Sequence, residues 1–497
     1  MGSLVVSGFD VREVELPPSA QVLLPPLPFP AQDDFHAAVV QALEVPQGGE
    51  PLSKRVTARS RLTVVLDDLA FPVPRATRDA RATMLAAVLR VLEKHGIPST
   101  RVTVLVGNGL SRQWRQAELI EWLGPKGASL ARCHDAEALG QLARLEDRPE
   151  GPVELSRLVV DTDLVVHLSV ASMPIQATGF GLVHGTLGAR TARLLNAPHH
   201  FTQEGSPLAF GSSWQQAHDA VGTLLGTKVP VLQVTAVVNN ELWPPAIASL
   251  LERGSGLSRP LQMWNALPEA VRHRAARMMR SSYAPIGVFC GPPSLVAPRA
   301  LELFLRQHEV KAKGGADVLL FGLPDLGPYS LGTAQNPLLV ANLALGFVGN
   351  LLTAGPLLKP GGVVVMANPM TKGFAREHRV HEELFEKVLK LEREPEGIHE
   401  RYEPWLAGRP EFVADYQQRY AFHGAHALLA WAMCTPLRRR ASRIIVAHGD
   451  PRACARFGFM AAADVEDGLK RACEALADAQ PKVTMLELPP PFFVRVT

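Results

Sequence analysis

The fold is decided by a short stretch that ends in two acids, Leu62-Thr63-Val64-Val65-Leu66-Asp67-Asp68. Its aliphatic residues follow one another without polar alternation, which is typical of a strand buried on both faces of a parallel sheet. Further runs of this kind lie at 102–106, 164–170, 231–238, 318–321, 363–367 and 444–447. Helical apolar spacing separates several of them, over 78–95, 116–123, 213–225 and 465–477. Strands and helices therefore alternate, and we predict an α/β protein with mostly parallel sheets.

The length and composition predict more than one domain. The chain has 497 residues, of which 47% are hydrophobic and 20% charged, so it can bury more than one core. A change of composition over 251–291 marks the joint. We predict two α/β domains with a cleft between them, over residues 1–275 and 276–480. Residues 481–497 form a terminal segment that could return to the first domain.

Charge and cysteine content exclude several classes of partner. The net charge is only +3 and the basic residues are scattered, which argues against nucleic acid. Five cysteines without a C-x-x-C pair fit a reducing compartment and free thiols. The first 15 residues carry charges and no apolar core, and no apolar run is long enough to span a bilayer. We expect a cytoplasmic protein with a small-molecule ligand and no membrane partner.

Polar residues follow the first two predicted strands, where open α/β sheets bind ligands. Asp68 and Ser111 are catalytic candidates, and Arg75, Asn108 and Arg112 are candidates for substrate binding. Structural roles remain open for each of them. Asp68 could cap a helix or hold a turn, Arg75 could be solvated, and Ser111 could cap the following helix while Arg112 pairs outward.

A second group of candidates lies in the loops after the third strand. His184 is a catalytic candidate and His200 a possible metal ligand, because neutral imidazoles bind nickel, zinc or iron. His200 could instead make a hydrogen bond in the cleft or lie on the surface. Gly179 and Gly185 could hold a planar cofactor or a phosphate, or serve a loop that needs positive φ. Lys372 could bind a substrate carboxylate. His423 and His426 are three residues apart and would share a helix face, without metal-ligand spacing.

Several stretches in a shared order resemble the nickel-pincer lactate racemase family: 42–46, 51–53, 62–68, 104–124, 235–239, 423–427 and 457–459. Together they extend over most of the chain. The resemblance implies racemisation or epimerisation of 2-hydroxy acids by hydride transfer. It also implies a nickel-pincer cofactor tethered to a lysine through a thioamide, two histidine bases, a nickel-binding histidine, and an arginine and a lysine for the carboxylate.

The chain departs from that pattern at the positions that carry the chemistry. By the resemblance, Phe71 replaces the carboxylate-binding arginine, Ser111 and Ile175 replace the two histidine bases, and Gly185 replaces the tethering lysine. No lysine occurs between Lys126 and Lys228, so that loop has no amine for a tether. The segment 329–337, where the second carboxylate-binding group is expected, contains no basic residue. His200 falls near the nickel-binding position.

Two functions remain open from the sequence. One is a lactate racemase-like isomerase that acts on a 2-hydroxy acid or related molecule other than lactate, with an untethered pincer or another cofactor at His200. The other is a catalytically inactive relative that binds a small molecule or a partner protein in the interdomain cleft.

Overall fold

The structure of the protein, a computed structural model, describes residues 2–202, 205–243, 258–329 and 336–497. Up to residue 238 its main elements are β1 (Gly2–Gly8), β2 (Asp10–Glu15), β3 (Gln21–Leu23), α1 (Phe35–Glu44), α2 (Leu52–Arg55), β4 (Leu62–Asp67), α3 (Ala80–Lys94), β5 (Val102–Gly107), α4 (Gln116–Leu130), β6 (Ala131–Cys133), β7 (Leu142–Arg148), β8 (Gly151–Ser156), α5 (Arg157–Val160), β9 (Leu164–Ala171), α6 (Phe180–Thr186), α7 (Ala189–Leu195), α8 (Ser213–Gly226) and β10 (Val231–Val238).

From residue 258 onward the main elements are α9 (Arg259–Ala266), α10 (Glu269–Met278), β11 (Pro285–Gly291), α11 (Pro293–His308), β12 (Glu309–Ala312), β13 (Ala316–Pro324), α12 (Pro337–Ala341), β14 (Leu352–Ala354), β15 (Leu358–Ala367), α13 (Arg379–Glu383), α14 (Pro395–Ala407), α15 (Pro410–Gln418), α16 (Gly424–Ala432), α17 (Thr435–Arg440), β16 (Arg443–Ala447), α18 (Pro451–Phe457), β17 (Met460–Ala462), α19 (Val465–Leu476), β18 (Val483–Leu486) and β19 (Phe493–Val496). Each predicted strand run lies within one of these strands, so the prediction of an α/β fold is confirmed.

The first sheet has the order β11-β10-β9-β4-β5-β6, parallel except for the antiparallel pair β10–β11. Val64 and Leu66 of β4 lie in a core cluster with residues of α1 and α3, and Val65 lies in another with residues of α6 and α8. Both faces are therefore covered, which explains why the β4 sequence does not alternate.

The second sheet is built around β13, which pairs in parallel with β15, β18 and β1. β16 and β17 extend the β15 side in parallel, β3 adds to β18 in parallel, and β2 adds to β1 antiparallel. A small sheet, β12-β19-β14, and the hairpin β7–β8 complete the strand pairing of the described residues.

The strand pairing differs from the predicted domain bounds at three places. Residues 2–23 pair within the second sheet, and β11 pairs with β10 in the first sheet. Residues 483–486 and 493–496 join the second sheet and the small sheet. Strand pairing is long-range, so the local pattern that predicts a strand does not tell which sheet it joins.

The carboxyl ends of both sheets face the same interdomain region. Ala171 and Val237, at the ends of β9 and β10, share one buried cluster with Leu323 at the end of β13. Residues that follow these strands can therefore meet between the domains. Among the described residues, no helix is long and apolar enough to cross a membrane.

Candidate functional site

The acid that ends β4, Asp67, is held inside the first domain. Its carboxylate accepts hydrogen bonds from His167 Nε2 at 2.7 Å and Ser169 Oγ at 2.6 Å, both on the neighbouring strand β9. Burial opposes ionisation of Asp67, but these bonds and the nearby Arg81 outweigh it and hold the pKa of this carboxyl below its usual range. Asp67 is therefore an ionised group that fixes the carboxyl end of β4.

The next acid, Asp68, points to the loop after β5. Its Oδ1 accepts a hydrogen bond from Trp114 Nε1 at 3.1 Å. Burial raises the pKa of Asp68, and the hydrogen bonds of Trp114 and Ser111 offset that only in part. The structure thus brings together Asp68 and Ser111, two separate catalytic candidates from the sequence.

Arg81 of α3 clamps the loop that follows β4. Its side chain is 2% exposed and pairs with Asp79 at 2.6 Å. The guanidinium also donates to the carbonyl oxygens of Asp68 and Phe71, each at 2.5 Å, and of Asp67 at 3.4 Å. In this turn the carbonyl oxygens cannot pair with a neighbouring strand, and the buried Arg81 guanidinium supplies their hydrogen bonds instead.

The predicted binding residues Arg112 and Arg75 both lie near the Trp114 ring. Arg112 is 3% exposed and makes a two-bond ion pair with Glu118, at 2.6 and 2.9 Å. Its guanidinium carbon lies 4.0 Å from the Trp114 ring centroid. Arg75 stacks 3.8 Å over Trp122, and burial lowers its pKa to about 10. Both cations are committed to contacts within this domain.

Asn108 and Ser111 shape the loop after β5. The Asn108 amide donates to the carbonyls of Ser111 and His134 and accepts from the His134 N–H at 2.9 Å. Ser111 does not cap the next helix, because α4 begins at Gln116 with Arg115 at its N-cap. The capping alternative for Ser111 was therefore wrong, since four residues separate it from the helix.

Gly185, at the predicted tether position, lies directly on the end of β5. The Gly185 carbonyl accepts the Gly109 N–H at 3.0 Å. A Cβ built on Gly185 would overlap the Gly107 carbonyl oxygen and lie 2.7 Å from the Gly107 Cα. No side chain fits at Gly185 while α6 keeps this contact with β5.

Gly179, the other predicted cofactor residue, precedes α6 with φ 87°. A Cβ there would lie 3.1 Å from the Gln233 side-chain carbon, on the buried strand β10. Gly179 therefore fits the structural interpretation from the sequence, which is a loop residue that needs positive φ.

His184 belongs to a chain of two imidazoles. His218 Nδ1 lies 2.8 Å from the Trp214 carbonyl oxygen, which can only accept, so this nitrogen carries the proton. The His218 Nε2 then accepts from His184 Nδ1 at 3.3 Å. The His184 Nε2 is left unprotonated, with no hydrogen-bond partner among the described residues. Burial lowers the pKa of His184 to about 4, which keeps the ring neutral.

His200 lies in a 3-10 turn and not in a strand, so its ring does not point away from that of His199. The two ring centroids are 4.0 Å apart, and His200 Nδ1 lies 3.0 Å from Ser213 Oγ. Burial and His199 lower the pKa of His200 to about 4. Across the described ranges, no three His, Cys, Asp or Glu side chains form a group that could hold a metal ion.

Apolar side chains fill positions where the resemblance implies catalytic groups. Ile175 is 1% exposed and shares a cluster with Phe180, Phe347 and Met433, which brings the two domains together. Phe71 lies 5.4 Å from Phe347, centroid to centroid. The cleft is therefore lined with hydrocarbon where a carboxylate would need a cation.

The remaining candidates lie elsewhere. Lys372 is exposed and pairs with Glu386 at 2.6 Å within the second domain, away from the groups at the end of β4. Residues 330–335 of the segment 329–337 lie outside the described residues.

His423 and His426 do not share a helix face, because His423 is the N-cap of α16 and bonds to Glu137 at 2.9 Å. His426 lies 3.0 Å from the buried His381, between their ring nitrogens.

Sequence reasoning missed Arg81, His167 and His218. His167 had a signal, since it is a lone imidazole inside an apolar strand and needs a polar partner there. Arg81 and His218 are helix residues, and their spacing alone does not separate a buried position from a solvated one.

Comparison with known proteins decides the family of the N-terminal part. Residues 8–179 match the family model described as the lactate racemase N-terminal domain. This part of the chain belongs to that family. No curated protein matches the sequence.

Solved structures extend the lactate racemase fold to the whole chain. The lactate racemase apoprotein from Thermoanaerobacterium thermosaccharolyticum is 14% identical, with a TM-score of 0.66 and 100% of both chains covered. A crystal structure of a protein from Thermotoga maritima is 10% identical, with a TM-score of 0.52, and covers 94% of this chain and 100% of its own. The predicted resemblance to lactate racemase is confirmed.

The lysine-tethered nickel pincer that the lactate racemase resemblance implies does not fit this site. Its anchoring position is Gly185, which has neither an amine nor room for a side chain against Gly107. The two positions for histidine bases hold Ser111 and the buried Ile175.

Replacement of the buried clamp, Arg81→Met, is expected to lower the free energy of unfolding by about 3–5 kcal/mol, because Asp79 and three loop carbonyls lose their partner. Chemical denaturation measures this. The exposed Arg78→Met is the matched control and should stay within about 0.5 kcal/mol of wild type. Equal effects of the two substitutions would show that Arg81 is not a clamp.

The lowered pKa of His184 predicts a pH dependence of stability. Between the folded pKa of about 4 and the ordinary value of 6.5, the unfolded chain binds more protons, so stability rises with pH in this window. His184→Gln should make that rise shallower, whereas exposed His95→Gln should not. Denaturant unfolding across the window checks it. An unchanged slope in His184→Gln would contradict the neutral, buried state of this ring.

Proposed function

We propose that this chain binds a small molecule between its two domains and does not carry a lysine-tethered nickel pincer. The observation that supports this most is the contact of Gly185 with Gly107, because it occupies the place that the tethering side chain would need. Stable attachment through a thioamide requires a primary amine, and no lysine occurs between Lys126 and Lys228.

The carboxylate subsite of the family is also changed. Phe71 packs against Phe347 with tilted rings, at the position where the resemblance implies arginine. The nearby arginines, Arg75 and Arg112, stack on tryptophans, and Arg112 is neutralised by Glu118. Recognition of a free carboxylate would have to break these contacts, which favours a ligand different from a 2-hydroxy acid anion.

A second candidate function is a lactate racemase-like isomerase of a 2-hydroxy acid or related molecule. The open Nε2 of His184 favours it, since a neutral imidazole fixed in one tautomer can accept a proton from a hydroxyl group. His184 lies in α6, within the segment where the resemblance implies catalytic groups, although it stands at a different position.

Production of the chain together with the enzymes that make the pincer separates the two candidates. We expect an unmodified intact mass, no stoichiometric nickel by elemental analysis, and no racemisation of any member of a panel of 2-hydroxy acids that includes L-lactate. A mass increase on a lysine together with bound nickel and turnover would contradict the proposal. Turnover that is lost in His184→Gln would establish the isomerase instead.

A further inference from the structure

An apolar cavity between the domains includes Phe71 in its lining but none of the catalytic candidates from the sequence. A cavity of about 420 Å³ lies where strands of both sheets end, and Phe71, Trp264, Tyr283, Phe347, Leu351 and Phe493 are among its lining residues. Asp68, Ser111 and His184 do not line it. Cavities of this size at domain interfaces are typical of sites for small molecules.

Polar side chains in the wall are already engaged by the protein. Asn239 Nδ2 donates to the Phe29 carbonyl at 3.0 Å, and Asn240 Nδ2 to the Pro26 carbonyl at 2.7 Å. Trp264 Nε1 donates to the Phe9 carbonyl at 2.7 Å, and Ser172 Oγ to Gln176 at 2.7 Å. A ligand in the cavity would therefore contact the apolar parts of these residues and would find few free hydrogen-bond donors.

The cavity has no cation to balance an acid. Among the described residues that line it there is no lysine and no arginine, and the one acid, Glu487, already interacts with another group of the protein. His308 is neutral, because burial lowers its pKa to about 4 and its Nε2 donates to the Val238 carbonyl at 2.9 Å. A buried carboxylate without a partner is strongly disfavoured, so an anion such as lactate does not suit this cavity.

Aromatic rings and prolines form much of the remaining wall. Phe71, Pro72 and Pro74 come from the first domain, and Phe347 and Phe493 from the second. Flat rings and rigid prolines present extended surfaces that contact a planar molecule at little cost in side-chain entropy. The wall thus favours a ring-bearing ligand over a flexible polar one.

We propose that this cavity binds a neutral, apolar, ring-bearing molecule of drug size. The proposal rests on the proposed function, since it names the ligand class for a protein that binds between its domains.

Fluorescence titration with N-phenyl-1-naphthylamine, a neutral aromatic probe, tests it. We expect saturable, blue-shifted fluorescence that excess sodium lactate does not displace. Val73 lines the cavity and is partly exposed, so Val73→Trp should fill space without unfolding the chain and weaken binding at least about tenfold. Val45→Trp, at an exposed position outside the cavity, is the matched control and should bind within about threefold of wild type.

Met173→Trp, at a second lining position, gives the same test if Val73→Trp fails to fold by circular dichroism. The inference would be overturned if the folded wild type did not bind the probe. It would also be overturned if a folded variant with tryptophan at one of the two lining positions, Val73→Trp or Met173→Trp, bound the probe as tightly as wild type. Either result would leave the proposed function intact as long as the chain stays unmodified and free of nickel. Nickel with a modified lysine would overturn the proposed function itself.

Discussion

The first domain depends on a close contact between two glycine backbones, Gly185 near the carboxyl end of α6 and Gly107 at the end of β5. The Gly109 N–H bonds to the Gly185 carbonyl, so α6 lies directly on the strand end. Because the approach leaves no room for a Cβ, it fixes where α6 runs and therefore where His184 and Phe180 point. It also leaves no room for a side chain at the position where the resemblance implies the tethering lysine.

The charged side chains around this contact hold neighbouring strands and loops in place. Asp67 holds β4 to β9, Arg81 holds the loop after β4, and Arg112 is paired with Glu118. Between the domains, hydrocarbon from Ile175 and its neighbours replaces ionisable groups, and the cavity beyond Phe71 is apolar. The fold is shared with lactate racemase, and in this chain the region between the domains is lined by apolar side chains. Fold alone therefore does not give the function.

Much of the fold could be predicted from the sequence. Strands such as β4 and β10 are uniform apolar runs, and their burial on both faces leaves a clear local pattern. Membership of a sheet could not be predicted, as for residues 2–23, because pairing depends on distant partners. For the site, the position of Asp68 and Ser111 after neighbouring strands made both of them candidates, whereas their mutual contact was not predicted. The roles of Arg81 and His218 depend on burial and tautomer, which only the folded arrangement sets.

The stability of Gly185→Ala tests the central contact most directly. A single methyl group at Gly185 would overlap the Gly107 carbonyl, so the account predicts a loss of about 1–3 kcal/mol or more in the free energy of unfolding. Gly226→Ala, at the end of α8 with no atom within 4 Å of the added Cβ, should be neutral or slightly stabilising. Wild-type stability in Gly185→Ala would contradict the account, because a side chain would then fit where the tethering lysine belongs.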